Sequence, residues 1–226
     1  MKGRHIVLII AIIILLDQAL KVYIKTNFFL GEEHKIIGEW FRIHFVENEG
    51  MAWGLSFGGE FGKIALTLFR LVAVIVGAFY IRGLVKAGNQ HKGFLVCAAL
   101  IFAGALGNLI DSLFYGMIFE RSDPFMQNIA KIFPPEGGYA SFLHGRVVDM
   151  FYFPIIRNAH FPDWLPIWGG EEFEFFRPVF NIADASISVG VIAILVFQKR
   201  FFKQHSEEKS NQVVQHADVD DHNKVS

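Results

Sequence analysis

Two aspartates carry the clearest chemical potential in this chain of 226 residues. Asp149 lies in Arg146-Val147-Val148-Asp149-Met150-Phe151, and Asp184 in Phe180-Asn181-Ile182-Ala183-Asp184-Ala185-Ser186. Both adjoin long apolar runs. An ionised carboxylate at the centre of a membrane helix costs roughly 2.5 kcal/mol or more, so acids in such surroundings ask for a role. Two carboxylates that approach each other cannot both ionise cheaply. They share a proton, and one then acts as base toward water while the other donates to a carbonyl oxygen. That is acid–base hydrolysis of a peptide bond without a covalent intermediate. Spacing alone does not join the two acids.

Competing chemistries lack their residues. The nine histidines include no His-Glu-x-x-His pair for zinc, and there is no Gly-x-x-x-x-Gly-Lys-Ser/Thr phosphate loop. Cys97 cannot form an internal disulfide, being the single cysteine, and its apolar neighbours mark a buried structural thiol. Ser186 and Ser188 default to packing. No metal and no cofactor is expected.

The elements that must position the acids are membrane helices. With 53% hydrophobic residues and 25 phenylalanines, the chain is too apolar for an ordinary soluble domain. A net charge of −1 gives no field that would draw nucleic acid. After Lys2 and Arg4 an apolar run begins at Ile6. No small-x-small cleavage site follows, and the pattern resumes through Val22, Tyr23 and Ile24, so residues 5–25 read as a retained first span. Asp17 and Lys21 are four apart and share a helical face, where each neutralises the other. At about 1.5 Å per residue Asp17 lies roughly 16 Å beyond Ile6. An ion pair that only fixes helix packing explains the two equally well.

Residues 39–46 alternate, with Phe41, Ile43 and Phe45 opposite Trp40, Arg42 and His44, as a strand does. They lead into Glu47-Asn48-Glu49-Gly50-Met51-Ala52-Trp53-Gly54. Small residues there admit close approach of another backbone, or simply a turn. Residues 64–81 and 94–115 are the second and third spans. The link between them carries Arg82, Lys86 and Lys92, which marks it cytoplasmic and places residues 26–62 outside. In the third span Gly104 and Gly107 suit tight helix packing, and Asn108 and Asp111 lie one turn apart. Asn108 is about 21 Å along the helix from Phe94, at the outer level of Asp17 and Lys21. Residues 182–197 are the fourth span, closed by Lys199, Arg200 and Lys203. Between the third and fourth spans, residues 116–179 form an outer segment. Its Trp164, Trp168, Phe173, Phe175 and Phe176 suit the membrane interface. Residues 1–203 form one membrane-embedded domain, and the polar stretch 204–226 reads as a disordered cytoplasmic tail.

Five blocks in this order resemble signal peptidase II, the bacterial lipoprotein signal peptidase. They are Asp17-Gln18-Ala19-Leu20-Lys21, Asn48-Glu49-Gly50-Met51-Ala52-Trp53, Gly104-Ala105-Leu106-Gly107-Asn108-Leu109-Ile110-Asp111, Arg146-Val147-Val148-Asp149 and Phe180-Asn181-Ile182-Ala183-Asp184. The resemblance implies an all-α membrane protein with four transmembrane helices, a small extracytoplasmic β-sheet platform and inserted outer loops. It implies an aspartic endopeptidase of the bacterial inner membrane, both termini cytoplasmic and the active site at the outer face. Such an enzyme cuts a prolipoprotein just before a cysteine that already carries diacylglycerol. By motif position Asp149 and Asp184 would be the catalytic pair. Asp17, Lys21, Asn48, Gly50, Ala52, Gly104, Asn108, Asp111, Arg146, Asn181 and Ala183 would bind substrate or support the site. Prolipoprotein and membrane lipid would be the partners, nucleic acid would not, and the enzyme would act as a monomer.

Two features depart from the family. Its third-helix block usually ends Asp-Arg, whereas Ser112 follows Asp111 here, so a cation is missing; Arg146 and Arg121 are candidates to replace it. The stretches from Asp111 to Asp149 and from Asp149 to Asp184 are also longer than usual, which implies inserted surface loops or a lid. Outside the family, a proton or ion pathway through Asp17, Lys21, Asp111 and Asp184 would account for the buried charges. A structural membrane scaffold would account only for the spans.

Overall fold

The computed structural model describes residues 2–48, 59–154, 156–160, 162–164, 166, 169–175 and 178–222. Four helices are long and apolar enough to cross a membrane: Gly3–Asn27, Phe61–Ala87, Lys92–Ile118 and Ile182–Phe202. The first, α1 (Gly3–Asn27), has 25 residues. That is about 38 Å of helix, enough for a hydrocarbon core of roughly 30 Å. Its faces are inverted relative to a soluble helix. Val7, Leu8, Ile12, Leu15 and Leu16 are exposed, while Asp17, Lys21 and Lys25 are buried. Lipid solvates the apolar face, and the charges turn inward to find partners.

Two antiparallel strands follow, β1 (Glu33–Ile37) and β2 (Phe41–Asn48). The alternation expected of β2 is broken by a register shift between Ile43 and Val46, and both Arg42 and Phe45 end up buried. Arg42 is accommodated by ion pairs to Glu33 and Glu39. Next comes α2 (Gly59–Ala87), which exposes Phe69, Val72, Ile75, Val76, Phe79 and Tyr80 and packs on α3.

The hub is α3 (Lys92–Ile110), in contact with α1, α2 and the last helix. It does not stop at Ile110. It widens into a π-helical turn, Asp111–Tyr115, and ends as a short α4 (Gly116–Ile118). Such turns insert a residue into the helix and recur at functional sites. Here the turn buries Asp111, Ser112 and Tyr115. Cys97 is buried on α3, as the sequence predicts.

Beyond α4, residues 119–145 double back on the helix end. Tyr139 N–H donates to the Phe119 carbonyl, Ala140 N–H to Gly116 and Gly145 N–H to Ser112, at 3.0, 2.9 and 2.9 Å. The loop is a strap, and its far part exposes Phe125, Met126 and Phe133. It delivers the chain to β3 (Val147–Tyr152), which pairs antiparallel with β2 and is buried along almost its whole length. Between β3 and the last helix lies a hairpin, β4 (Ile156–His160) with β5 (Glu172–Phe175). A short β6 (Val179–Phe180) returns to β3, completing a sheet of order β1-β2-β3-β6. Ile24, Phe45, Tyr115, Phe119, Val148 and Met150 form one cluster that seals this sheet onto the ends of α1 and α3.

The last helix, α5 (Ile182–His222), runs beyond the spanning segment. No glycine or proline follows Gly190, so nothing in the sequence breaks the helix.

Candidate active site

The polar side chains of the site are delivered by several elements, α1, β2, α3 with its π-helical turn, β3 and α5, to the junction of sheet and helices. Asp149 comes from β3, opposite Val46 of β2 in the register, and is 3% exposed. Asp184 comes from the first turn of α5 and is partly buried. Asn181 precedes that turn and caps it. Its Oδ1 accepts the Asp184 N–H at 2.9 Å, and the Asp184 carboxylate accepts the Asn181 N–H at 3.4 Å. This is the reciprocal capping box, with Asp in the acidic position. The other end of the Asn181 amide donates to Asp149 Oδ1 at 2.6 Å, to the Val148 carbonyl at 3.3 Å and to Asn108 Oδ1 at 3.2 Å. One side chain thus touches both acids. Asn48, at the end of β2, donates to the second oxygen of Asp149 at 3.3 Å.

Beneath the pair lies a buried charge cluster. Lys21 donates to Asp111 at 2.8 Å, Asp17 at 2.9 Å and Asn108 Oδ1 at 2.9 Å, which uses all three of its protons. Because Asn108 turns its oxygen to this ammonium, its amide nitrogen faces the other way and donates to Asp184 Oδ1 at 2.8 Å. Asp17 accepts the Ala183 N–H at 2.9 Å. A carboxylate from α1 thereby holds the first turn of α5, where helix polarity favours an anion. Asp111 accepts the Val148 N–H at 3.3 Å and a bond from Gln18 at 2.8 Å, tying α3 to β3 and α1.

The glycines of the third span act as the sequence predicts. A Cβ on Gly104 would land on the Ala183 carbonyl, and one on Gly107 would lie 2.8 Å from Asp17 Oδ2. Their absence lets α3 and α5 close until Asn108 reaches Asp184.

Burial, and then the charge of Asp184 beside it, push the Asp149 carboxyl up to about 7. The Asn48 hydrogen bond, the Lys21 charge and the Asn181 hydrogen bond pull in the opposite direction and do not cancel this. The site therefore tends to keep a proton on Asp149 near neutral pH. Among the described residues, no group of three or more His, Cys, Asp or Glu side chains is placed to hold a metal.

The structure gathers Asp17, Lys21, Asn48, Gly104, Asn108, Asp111, Asp149, Asn181, Ala183 and Asp184 in one network. Gly50 and Ala52, singled out by sequence, lie outside the described residues, as does Trp168. Arg146 pairs with Glu47 at 3.5 Å and lies over the Tyr139 ring, and Arg121 is exposed on the strap. Sequence reasoning missed Arg70 on α2, which donates to Ser112 Oγ at 2.9 Å. The available signal was a lone arginine inside an apolar spanning run. Gln18 was also missed as an individual residue. It bonds Asp17, Asp111 and the Gly107 carbonyl and accepts from the Tyr115 hydroxyl.

Residues 9–200 match a family model described as signal peptidase (SPase) II. A lipoprotein signal peptidase of Porphyromonas gingivalis is 48% identical over 199 residues, spanning 88% of this chain and 84% of that protein. A lipoprotein signal peptidase of Amoebophilus asiaticus is 35% identical over 198 residues, spanning 87% of this chain and 78% of its own. Two solved structures of bacterial membrane enzymes share the fold. One has a TM-score of 0.55 at 24% identity over 88% of this chain and 89% of its own. The other has a TM-score of 0.53 at 25% identity over 86% and 92%.

Proposed function

The chain belongs to the signal peptidase II family, and we propose that Asp149 and Asp184 are the carboxylates with which it hydrolyses the signal peptide of a prolipoprotein. The supporting observation is the Asn181 side chain, bonded at once to Asp149 and to the backbone of Asp184. Asp149, kept protonated by burial, is the acid; Asp184 is the base. Asp184 takes a proton from water as the hydroxyl oxygen bonds the scissile carbonyl carbon. Asp149 gives its proton to the carbonyl oxygen. When the tetrahedral species collapses, the C–N bond breaks, the amine nitrogen receives the proton held by Asp184, and one hydroxyl of the diol returns its proton to Asp149 as the new carboxyl forms.

The enzyme is an aspartic peptidase and a multi-pass membrane protein. Its substrate is a prolipoprotein cut before a diacylglyceryl-modified cysteine, and the lipid chains reach the site sideways from the bilayer. The charge pattern supports cytoplasmic termini: Lys2, Arg4, Arg82, Lys86, Lys92, Lys199 and Arg200 lie at the span ends away from the sheet. The exposed Phe125, Met126 and Phe133 on the strap support contact with lipid at the outer face of the inner membrane. An ion pathway through Asp17, Lys21 and Asp111 fits less well, because those three close on one another and on the first turn of α5.

Asp149→Asn and Asp184→Asn, purified separately and given a lipidated prolipoprotein peptide, each lose turnover while still binding it. Cleavage at the normal rate by either variant rejects the pair.

A further inference from the structure

The mechanism needs Asp184 ionised beside a buried Asp149, and the structure offers a cation for that purpose on a helix no motif singled out. Arg70 lies within the spanning part of α2, where a guanidinium is costly unless acids or dipoles receive it. Its Nη1 donates to Ser112 Oγ at 2.9 Å, and that hydroxyl donates to the Asn108 carbonyl at 3.0 Å. Asn108 is the residue whose amide holds Asp184. Ser112 and Asn108 thus link the Arg70 guanidinium to Asp184 through three hydrogen bonds.

The charges around the pair come from every packed element. On α1 are Asp17, Lys21 and Lys25, on α2 Lys63 and Arg70, in the π-helical turn Asp111, on β2 Glu47 and His44, and before β3 Arg146. Lys25 and Arg146 are held by Glu47, His44 lies 3.6 Å from Glu33, and Lys21 is shared by Asp17 and Asp111. With Asp149 protonated, Asp17, Asp111 and Asp184 carry negative charges that Lys21 and Arg70 help to offset. Removing Arg70 withdraws one of these cations, which would draw a second proton onto the pair. We propose that Arg70 is a positioning residue that keeps Asp184 ionised as the base, entering from α2 through the space that the small Ser112 leaves. This rests on the assignment of Asp149 and Asp184 as the catalytic pair.

The test uses the full-length enzyme in lipid with a lipidated prolipoprotein peptide. Arg70→Gln lowers kcat about tenfold or more with KM within about twofold, and moves both limbs of the kcat/KM profile upward by about one pH unit. The sign follows from the charge: without a nearby cation both carboxyls hold protons more tightly. The double variant Arg70→Ala/Ser112→Arg returns a guanidinium to the same place from α3 and restores the limbs. A purely packing role would lower thermal stability and leave the limbs where they are, and that result overturns the proposal. If Arg70→Gln does not fold, the folded double variant decides: limbs at their wild-type positions support the role, and shifted limbs or absent turnover reject it. Active Asp149→Asn or Asp184→Asn would instead sink the pair itself. If those variants are dead and Arg70→Gln is normal, only the Arg70 role fails.

Discussion

Asn181 donates to Asp149 at 2.6 Å while its own carbonyl oxygen accepts the backbone N–H of Asp184 at 2.9 Å. A strand of the four-stranded sheet and the start of the last helix are thereby held in fixed relation by one amide. The helix cap and the spacing of the acids are a single structural feature. Any change that loosens the cap also moves Asp184 relative to Asp149.

Asn181→Ala removes the cap, worth about 1 kcal/mol, and strips Asp149 of its short hydrogen bond. We expect kcat/KM to fall roughly a hundredfold or more, well beyond what the modest loss of thermal stability explains. Asn181→Asp keeps a capping oxygen but sets a carboxylate against Asp149. It should fold better than the alanine variant and still cleave poorly. Steady-state kinetics beside thermal melts separate the two effects. Near-normal activity in Asn181→Asp beside a poor Asn181→Ala would mean that capping alone matters.

Much of this site was legible because its chemistry is local in sequence. Asp17 and Lys21 share a face by simple spacing, and Gly104, Gly107 and Asn108 announce a close helix contact around a polar group. The spans and the strand before Asn48 follow from hydrophobic period. Three features were not legible. The register shift that buries Arg42 depends on pairing with β3, more than a hundred residues away. The path of residues 119–145 is fixed by backbone bonds to a π-helical turn that leaves no pattern in the side chains. Arg70 meets Ser112 only through tertiary packing, so the loss of a cation on one helix could not be matched by eye with its presence on another.

Gly104→Ala tests the helix approach. The new methyl meets the Ala183 carbonyl and lies 2.7 Å from Ile187 Cγ1, so α3 and α5 must separate. Overpacking of this kind costs about 1–3 kcal/mol. Activity should fall further than stability, because Ala183 adjoins Asp184. Gly83→Ala on α2, with nothing within 4 Å of the added carbon, is the control. It should be neutral or slightly stabilising.

Lys21→Met leaves Asp17 and Asp111 buried without their shared cation. Breaking a buried pair by removing one partner costs about 3–5 kcal/mol. The variant should express poorly and melt early. Adding Asp111→Asn should recover part of that stability without recovering cleavage, since Asn108 has still lost the ammonium that orients it. Full activity in the double variant would show that the cluster has no part in placing Asp184.

The pH dependence of Asp149 makes the last prediction. Its carboxyl sits at about 7 in the folded chain, against about 3.9 for an ordinary aspartate. Between those values the folded chain holds a proton that the unfolded chain has lost, so stability falls as pH rises across the window and levels off above it. Asp149→Asn has no proton to lose there. The difference in melting temperature between variant and wild type should therefore move in favour of the variant from pH 4 to pH 8, even though the variant does not cleave. In the wild-type enzyme, kcat/KM should decline above about pH 7, as Asp149 loses the proton it must give to the carbonyl oxygen. A melting difference that is the same at pH 4 and pH 8 would show that burial does not hold this proton. Asp149 could not then be the acid of the pair.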